Sequence, residues 1–172
     1  GRYRSAAENT LIDSRRDAEI AEAMAQHIDQ ISHDVIGVAM RLHSEIGPGL
    51  LEGVYETLLA GRLAAMGYKV DRQWPINVIF DGIEFTDVAR VDLLVDERLV
   101  VEIKSGDNLN AVYSKQVLTY LKLLHLPVGL LINFGEATLK QGIRRLVNDH
   151  KDSALSAPLR ENHYTPTSDN RT

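Results

Sequence analysis

Between residues 17 and 46 the apolar positions Ile31, Val35, Val38, Leu42 and Ile46 recur every three or four residues, which predicts one buried face of a long helix. Residues 1–16, ahead of it, are polar and aperiodic and predict a loose arm. "GPG" at 47–49 ends the helix, because Pro48 has no amide hydrogen and the glycines free the backbone. A second helix is predicted over about 50–66, with Leu51, Val54, Leu58 and Met66 among its apolar residues and Gly67 as its stop. The period then drops to two. "INVIFDGIEF" (76–85) reads as a hairpin turned at Asp81-Gly82, and alternating stretches follow at 88–95 and 99–104. Helical spacing returns over 111–125 through Val112, Val117, Leu121 and Leu124. "VGLLINF" (128–134) is nearly all apolar, as expected of an interior strand. A last helix is expected at about 137–149, and the polar, proline-containing tail from Ser153 predicts disorder. The order α-α-β-β-β-α-β-α is that of an α/β or α+β domain built on a mixed sheet.

The alternation also selects a register. In "VVEIKS" (100–105), Glu102 and Lys104 share one strand face, and Val101 and Ile103 share the other. A two-residue loop back from the preceding strand would pair Val91 with Glu102 and mix charge with apolar surface on both faces. An odd loop of three or five residues pairs 92 with 102 and 90 with 104, and gathers Val91, Leu93, Val95, Leu99, Val101 and Ile103 on one apolar face. A slip of one residue buries charge, so the odd loop is expected. Asp92 and Glu102 then stand opposite each other, where like charges repel by a few tenths to about one kcal/mol. A divalent cation between them reverses that sign. Lys104 lies about 7 Å further along the same face. Arg90, Asp92, Glu102 and Lys104 also make a checkerboard whose diagonals would serve as plain salt bridges.

Composition narrows the setting. The 44% hydrophobic and 25% charged content is that of a soluble globular chain, and 172 residues suffice for one domain with a core. The absence of cysteine excludes disulfides and thiolate metal sites. No apolar run approaches a membrane span and no signal peptide is evident, which makes the cytoplasm the default location. The net charge of −5 argues mildly against a general polyanion binder, but its distribution is uneven. Residues 30–110 hold 13 acids against 7 bases, and 111–151 hold 6 bases against 2 acids. An acidic centre beside a basic rim suits a metal site working on a phosphate backbone.

The combination of Gly49-x-x-Glu52-x-x-Tyr55 in "GPGLLEGVYETLL" with "RVDLLV", "VVEIKS", "SKQVLTYLKLL" and "GLLINFG" closely resembles the GxxExxY family of the PD-(D/E)XK nuclease-like superfamily, over about residues 30–148. The resemblance implies a restriction-endonuclease-like core, a mixed four-stranded sheet flanked by helices in the order α-β-β-β-α-β. The domain would span 30–150, with 1–29 an N-terminal arm and helix extension and 151–172 a disordered tail. It makes Asp92 the acid of the second strand, Glu102-x-Lys104 the D/E-x-K of the third, and Glu52 the acid of the first core helix. Gln116 and Tyr120 match a Gln-x-x-x-Tyr pattern on the following helix. It implies a nuclease in which Glu52, Asp92, Glu102 and the carbonyl of Ile103 hold Mg²⁺, with Mn²⁺ as substitute. Lys104, Gln116 and Tyr120 would act on the attacking water and the phosphate. Nucleic acid, DNA ahead of RNA, is the implied partner. A domain this small can need a homodimer or a further protein partner to complete a substrate channel. The alternative function is a catalytically silent binding or assembly module on the same fold.

Plainer readings stand beside these. Glu52 and Glu56 suit the solvated face of a helix start, and Tyr55 and Tyr120 suit core positions with a wet hydroxyl. His43 suits a helix end with local hydrogen bonds, and Trp74-Pro75 a strand entry.

Overall fold

Alanine, glutamate and arginine dominate the stretch before Gln26, and their helix propensity lets the first helix run back well beyond the residues that pack. The structure, a computed structural model, describes residues 6–148, with side chains from residue 15 onward. Helix α1 spans Ala6–Ile46, so the expected loose arm is helical from residue 6. Residues 15–27 are exposed on every side, and packing begins at Ile28, where the three-to-four spacing starts to hold. The expected tail from Ser153 lies outside the described residues.

Helix α2 (Glu52–Ala65) follows the glycine-proline turn, and five strands then form one sheet: β1 (Val70–Phe80), β2 (Ile83–Val95), β3 (Leu99–Lys104), β4 (Val128–Asn133) and β5 (Ile143–Val147). They lie side by side in that order. All neighbours are antiparallel except β3 and β4, whose parallel pairing is bridged by α3 (Ala111–Leu124). One sheet face packs Leu93, Val95, Leu99, Val101, Ile103, Leu130 and Ile132 against α1 and α2. The other packs Leu94, Val100 and Leu131 against Val117, Tyr120 and Leu121 of α3. Burial on both faces explains the apolar runs of β3 and β4.

Two expectations about the strands are corrected. The returning arm of the predicted hairpin and the stretch at 88–95 are one strand, β2, because backbone pairing with β1 continues on both sides of a register shift near Ile76. The expected Asp81-Gly82 turn is present, both residues having positive φ. The second correction lies at the C-terminal end, where the expected helix over 137–149 is a single turn, α4 (Leu139–Gly142), followed by β5. Apolar spacing at Leu139, Ile143 and Leu146 mimics a helix, but the free edge of β4 offers a row of backbone partners, and pairing with it wins. Among the described residues the sheet therefore has five strands, not four.

Candidate active site

The loop from β2 to β3 contains three residues, 96–98, so Val95 pairs with Leu99 and Leu93 with Val101, as the alternation predicts. One step further, Asp92 comes level with Glu102. The ladder stops there because the Asp92 side chain replaces a backbone acceptor: its Oδ2 accepts the Ile103 N–H at 2.8 Å. The alternation of β2 also breaks at this point. Val91 does not join Leu93 and Val95 but packs with Ile76, Leu94 and Val100 on the α3 side, which corrects the single six-residue apolar face.

Glu102 belongs to the central strand, with β2 on one side and β4 on the other, and is only 2% exposed. Its Oε1 accepts from Lys104 Nζ at 2.8 Å, and its buried Oε2 has no hydrogen-bond partner. Burial, reinforced by the Asp92 charge, pushes the Glu102 pKa up to about 7. Burial also raises Asp92 above its ordinary value, although the Ile103 N–H, Lys104 and Gln73 pull the other way. For Lys104, burial disfavours the charge, but the bond to Glu102 and the charges of Glu102, Glu52 and Asp92 outweigh it, so its pKa is raised. The Lys104 ammonium also lies 5.2 Å from the centre of the Tyr113 ring. Of the checkerboard charges, Lys104 pairs with Glu102 along its own strand and Arg90 bonds Asp87.

Glu52 opens α2, and its carboxylate accepts the N–H of Ser105 at 3.3 Å, next to Lys104 in the chain. The turn before it is held by Tyr55, whose hydroxyl donates to the Gly47 carbonyl at 2.7 Å and accepts from the Leu50 N–H at 3.2 Å. Gly47 and Gly49 have φ of 77° and 108°, which the turn requires and larger residues resist. The Tyr55 ring stacks on Phe134, just beyond β4, with centroids 4.3 Å apart. This tyrosine is therefore a core residue whose hydroxyl is bonded to backbone rather than wet, and it ties the start of α2 to the end of the sheet. His43 bonds the Glu136 carbonyl, 93 residues away, rather than a local group. Glu56 is buried rather than solvated, and accepts from Arg72 and Gln73.

Gln116 donates to the Tyr120 hydroxyl within α3, and Tyr120 is buried against the sheet. Among the described residues, the carboxylates take their hydrogen bonds from other donors and not from this pair. Three neighbours of the site escape a reading of the sequence. Tyr113 precedes Gln116 by three residues and so shares its helix face, a signal that was available. Asn133 stands beside Lys104 across the β3–β4 ladder and ties the loop after β3 to β4 by donating to the Gly106 carbonyl at 2.8 Å. Gln73 bridges Glu56 and Asp92, and nothing local marks it.

The structure thus gathers Asp92, Glu102 and Lys104, with Glu52 at the rim. Among the described residues, no three carboxylate or imidazole groups stand as a ready-made metal cage. Each carboxylate is instead engaged by N–H donors of the protein. A cation nevertheless suits the donor set, because Glu102 Oε2 is a carboxyl oxygen buried without a partner beside a second acid, and a bound cation would favour its ionised form. Ile103 has its side chain in the core, and only its backbone is on the site's side. No described helix is long and apolar enough to cross a membrane. The family model of the PD-(D/E)XK nuclease superfamily matches residues 29–146. No curated protein and no solved structure matches the chain.

Proposed function

Because the chain belongs to the PD-(D/E)XK nuclease superfamily, we propose that it is a divalent-metal-dependent phosphodiesterase of the GxxExxY type that hydrolyses nucleic acid, DNA ahead of RNA. The observation that carries this reading is Glu102: an ionisable oxygen buried without a partner, facing a second carboxylate and a lysine. Glu102 and Asp92 would hold Mg²⁺ or Mn²⁺, with Glu52 and the Ile103 carbonyl completing the set. When bound, the ion lowers the pKa of a water and neutralises charge on the scissile phosphate. Lys104, its pKa raised by its acidic neighbours, is cationic at neutral pH. It therefore acts by stabilising negative charge on the phosphoryl oxygens as the transition state forms, not as the base. Tyr113 limits where its ammonium can swing. The Gln116 amide, held by Tyr120, offers a second N–H to a phosphate oxygen.

Replacing Lys104 by Ala should abolish cleavage of duplex, single-stranded or branched substrates while the far-ultraviolet spectrum stays unchanged. Wild-type protein that cuts none of these with Mg²⁺ or Mn²⁺ refutes the nuclease reading. The second reading, a silent binding or assembly module, is favoured by one observation: the carboxylates are closed on protein donors instead of on each other. Calorimetric titration separates the two, since a silent module binds no divalent cation, or binds it equally well after Asp92→Asn.

A further inference from the structure

Gln73 lies on β1 between Arg72, which pairs with Leu93, and Trp74, which pairs with Val91. Its own position, level with Asp92, drops out of the ladder. Its φ is 50°, the left-handed region that non-glycine residues enter only at a cost. The side chain accounts for the strain. Gln73 Nε2 donates to Glu56 Oε2 at 2.8 Å and to Asp92 Oδ1 at 3.2 Å. Ionised carboxylates only accept, so the two hydrogens of one amide nitrogen satisfy one acid each. Glu56 is in turn fixed from its other oxygen by Arg72 Nε at 2.8 Å, and Arg72 Nη2 donates to Thr57 at 2.9 Å. The chain of contacts therefore runs from α2 through Glu56 and Gln73 to Asp92.

The placement matters because Glu56 is four residues after Glu52, on the same side of α2. Gln73 thus joins the helix that carries Glu52 to the strand that carries Asp92. Asp92 is held from two directions: Oδ2 by the Ile103 N–H at 2.8 Å and Oδ1 by Gln73. A lysine or arginine in place of Gln73 would orient the carboxylate as well, but would compensate the charge that a cation needs. A neutral amide orients without compensating. It also separates Glu56 from Asp92, two acids whose repulsion contributes to the raised Asp92 pKa.

We propose that Gln73 is a positioning residue, a neutral strut that aims the Asp92 carboxylate at Glu102 and sets the spacing between α2 and β2, and so sets the affinity of the site for a divalent cation. The consequence for metal rests on the nuclease reading above; the strut itself does not.

The test uses Gln73→Gly, because glycine takes the positive φ without strain. Gln73→Asn is the second variant, also at ease there but a methylene too short to reach both acids. Three measurements go together: the urea midpoint without metal, Mn²⁺ affinity by calorimetry, and a metal-free double-mutant cycle of Gln73→Gly with Asp92→Asn. The expected result is an unchanged or higher midpoint, Mn²⁺ binding weakened roughly tenfold in both variants, and midpoint shifts that do not add in the cycle. A role in stability alone would lower the midpoint and leave affinity unchanged. Wild type and Gln73→Gly binding Mn²⁺ equally overturns the proposal and leaves the nuclease reading standing. A wild type that binds no cation sinks that reading, and the cycle then decides: additive shifts overturn the strut, non-additive shifts uphold it.

Discussion

Glutamine in place of Glu102 tests the electrostatic core of the site. It keeps the shape of the side chain, still offers an oxygen to Lys104 Nζ, and mimics the protonated acid without its ability to ionise. In the native protein the Glu102 pKa rises from 4.5 to about 7, a value that already includes the attraction of Lys104. At about 1.4 kcal/mol per pH unit this amounts to about 3 kcal/mol. The sign follows from which state holds the proton. Between these two values the folded chain binds more protons than the unfolded one, so stability falls as pH rises through that window and the loss is complete above about 7. Urea denaturation without metal should therefore give Glu102→Gln equal stability to wild type at pH 4 and an advantage of about 1–3 kcal/mol at pH 8. The lower end allows for a weaker bond from Lys104 to a neutral amide. Saturating Mn²⁺ should raise the wild-type midpoint at pH 8 and leave the variant unmoved. A variant less stable than wild type at pH 8, with the same pH slope, would show that Glu102 is stabilised by Lys104 as an ordinary ion pair and does not wait for a cation.

Tyr55→Phe keeps the stack on Phe134 but loses the bonds to Gly47 and Leu50, and should cost about 1–2 kcal/mol in urea denaturation, leaving the Leu50 N–H open to faster hydrogen exchange. No change in either measurement would mean that the turn before Glu52 holds itself. Gly135→Ala would place a Cβ 2.3 Å from the Gly106 carbonyl oxygen and 2.7 Å from that of Ser105, both backbone atoms that cannot rotate away. The expected cost is about 1–3 kcal/mol, with amide shifts confined to the loop after Lys104. Full stability and unmoved amides there would contradict that close approach.

Patterning in the chain decided the register that makes the site. To keep Leu93, Val95, Leu99, Val101 and Ile103 together β2 and β3 need an odd loop, here three residues long, and that register brings Asp92 level with Glu102. Period-two alternation leaves no cheaper option, so this part was legible from residues alone. The end of α1 at "GPG" and a second helix just beyond it, expected from about 50 and found from Glu52, were legible for the same kind of local reason, a turn that glycine and proline specify.

Tertiary structure decided the rest. Glu102 is buried because β4 returns on its far side and α3 covers the face, and neither fact is written within β3. Its raised pKa and its partnerless oxygen follow from that burial. β5 replaced an expected helix because the edge of β4 supplied backbone partners that local spacing does not record. Gln73 leaves the ladder where two buried or half-buried acids from different elements meet at its amide. Local rules govern which neighbours in sequence share a face, whereas desolvation and long-range hydrogen bonds depend on what the rest of the chain brings near. The sequence alone thus aligned two carboxylates, and the fold around them made one of them costly to ionise.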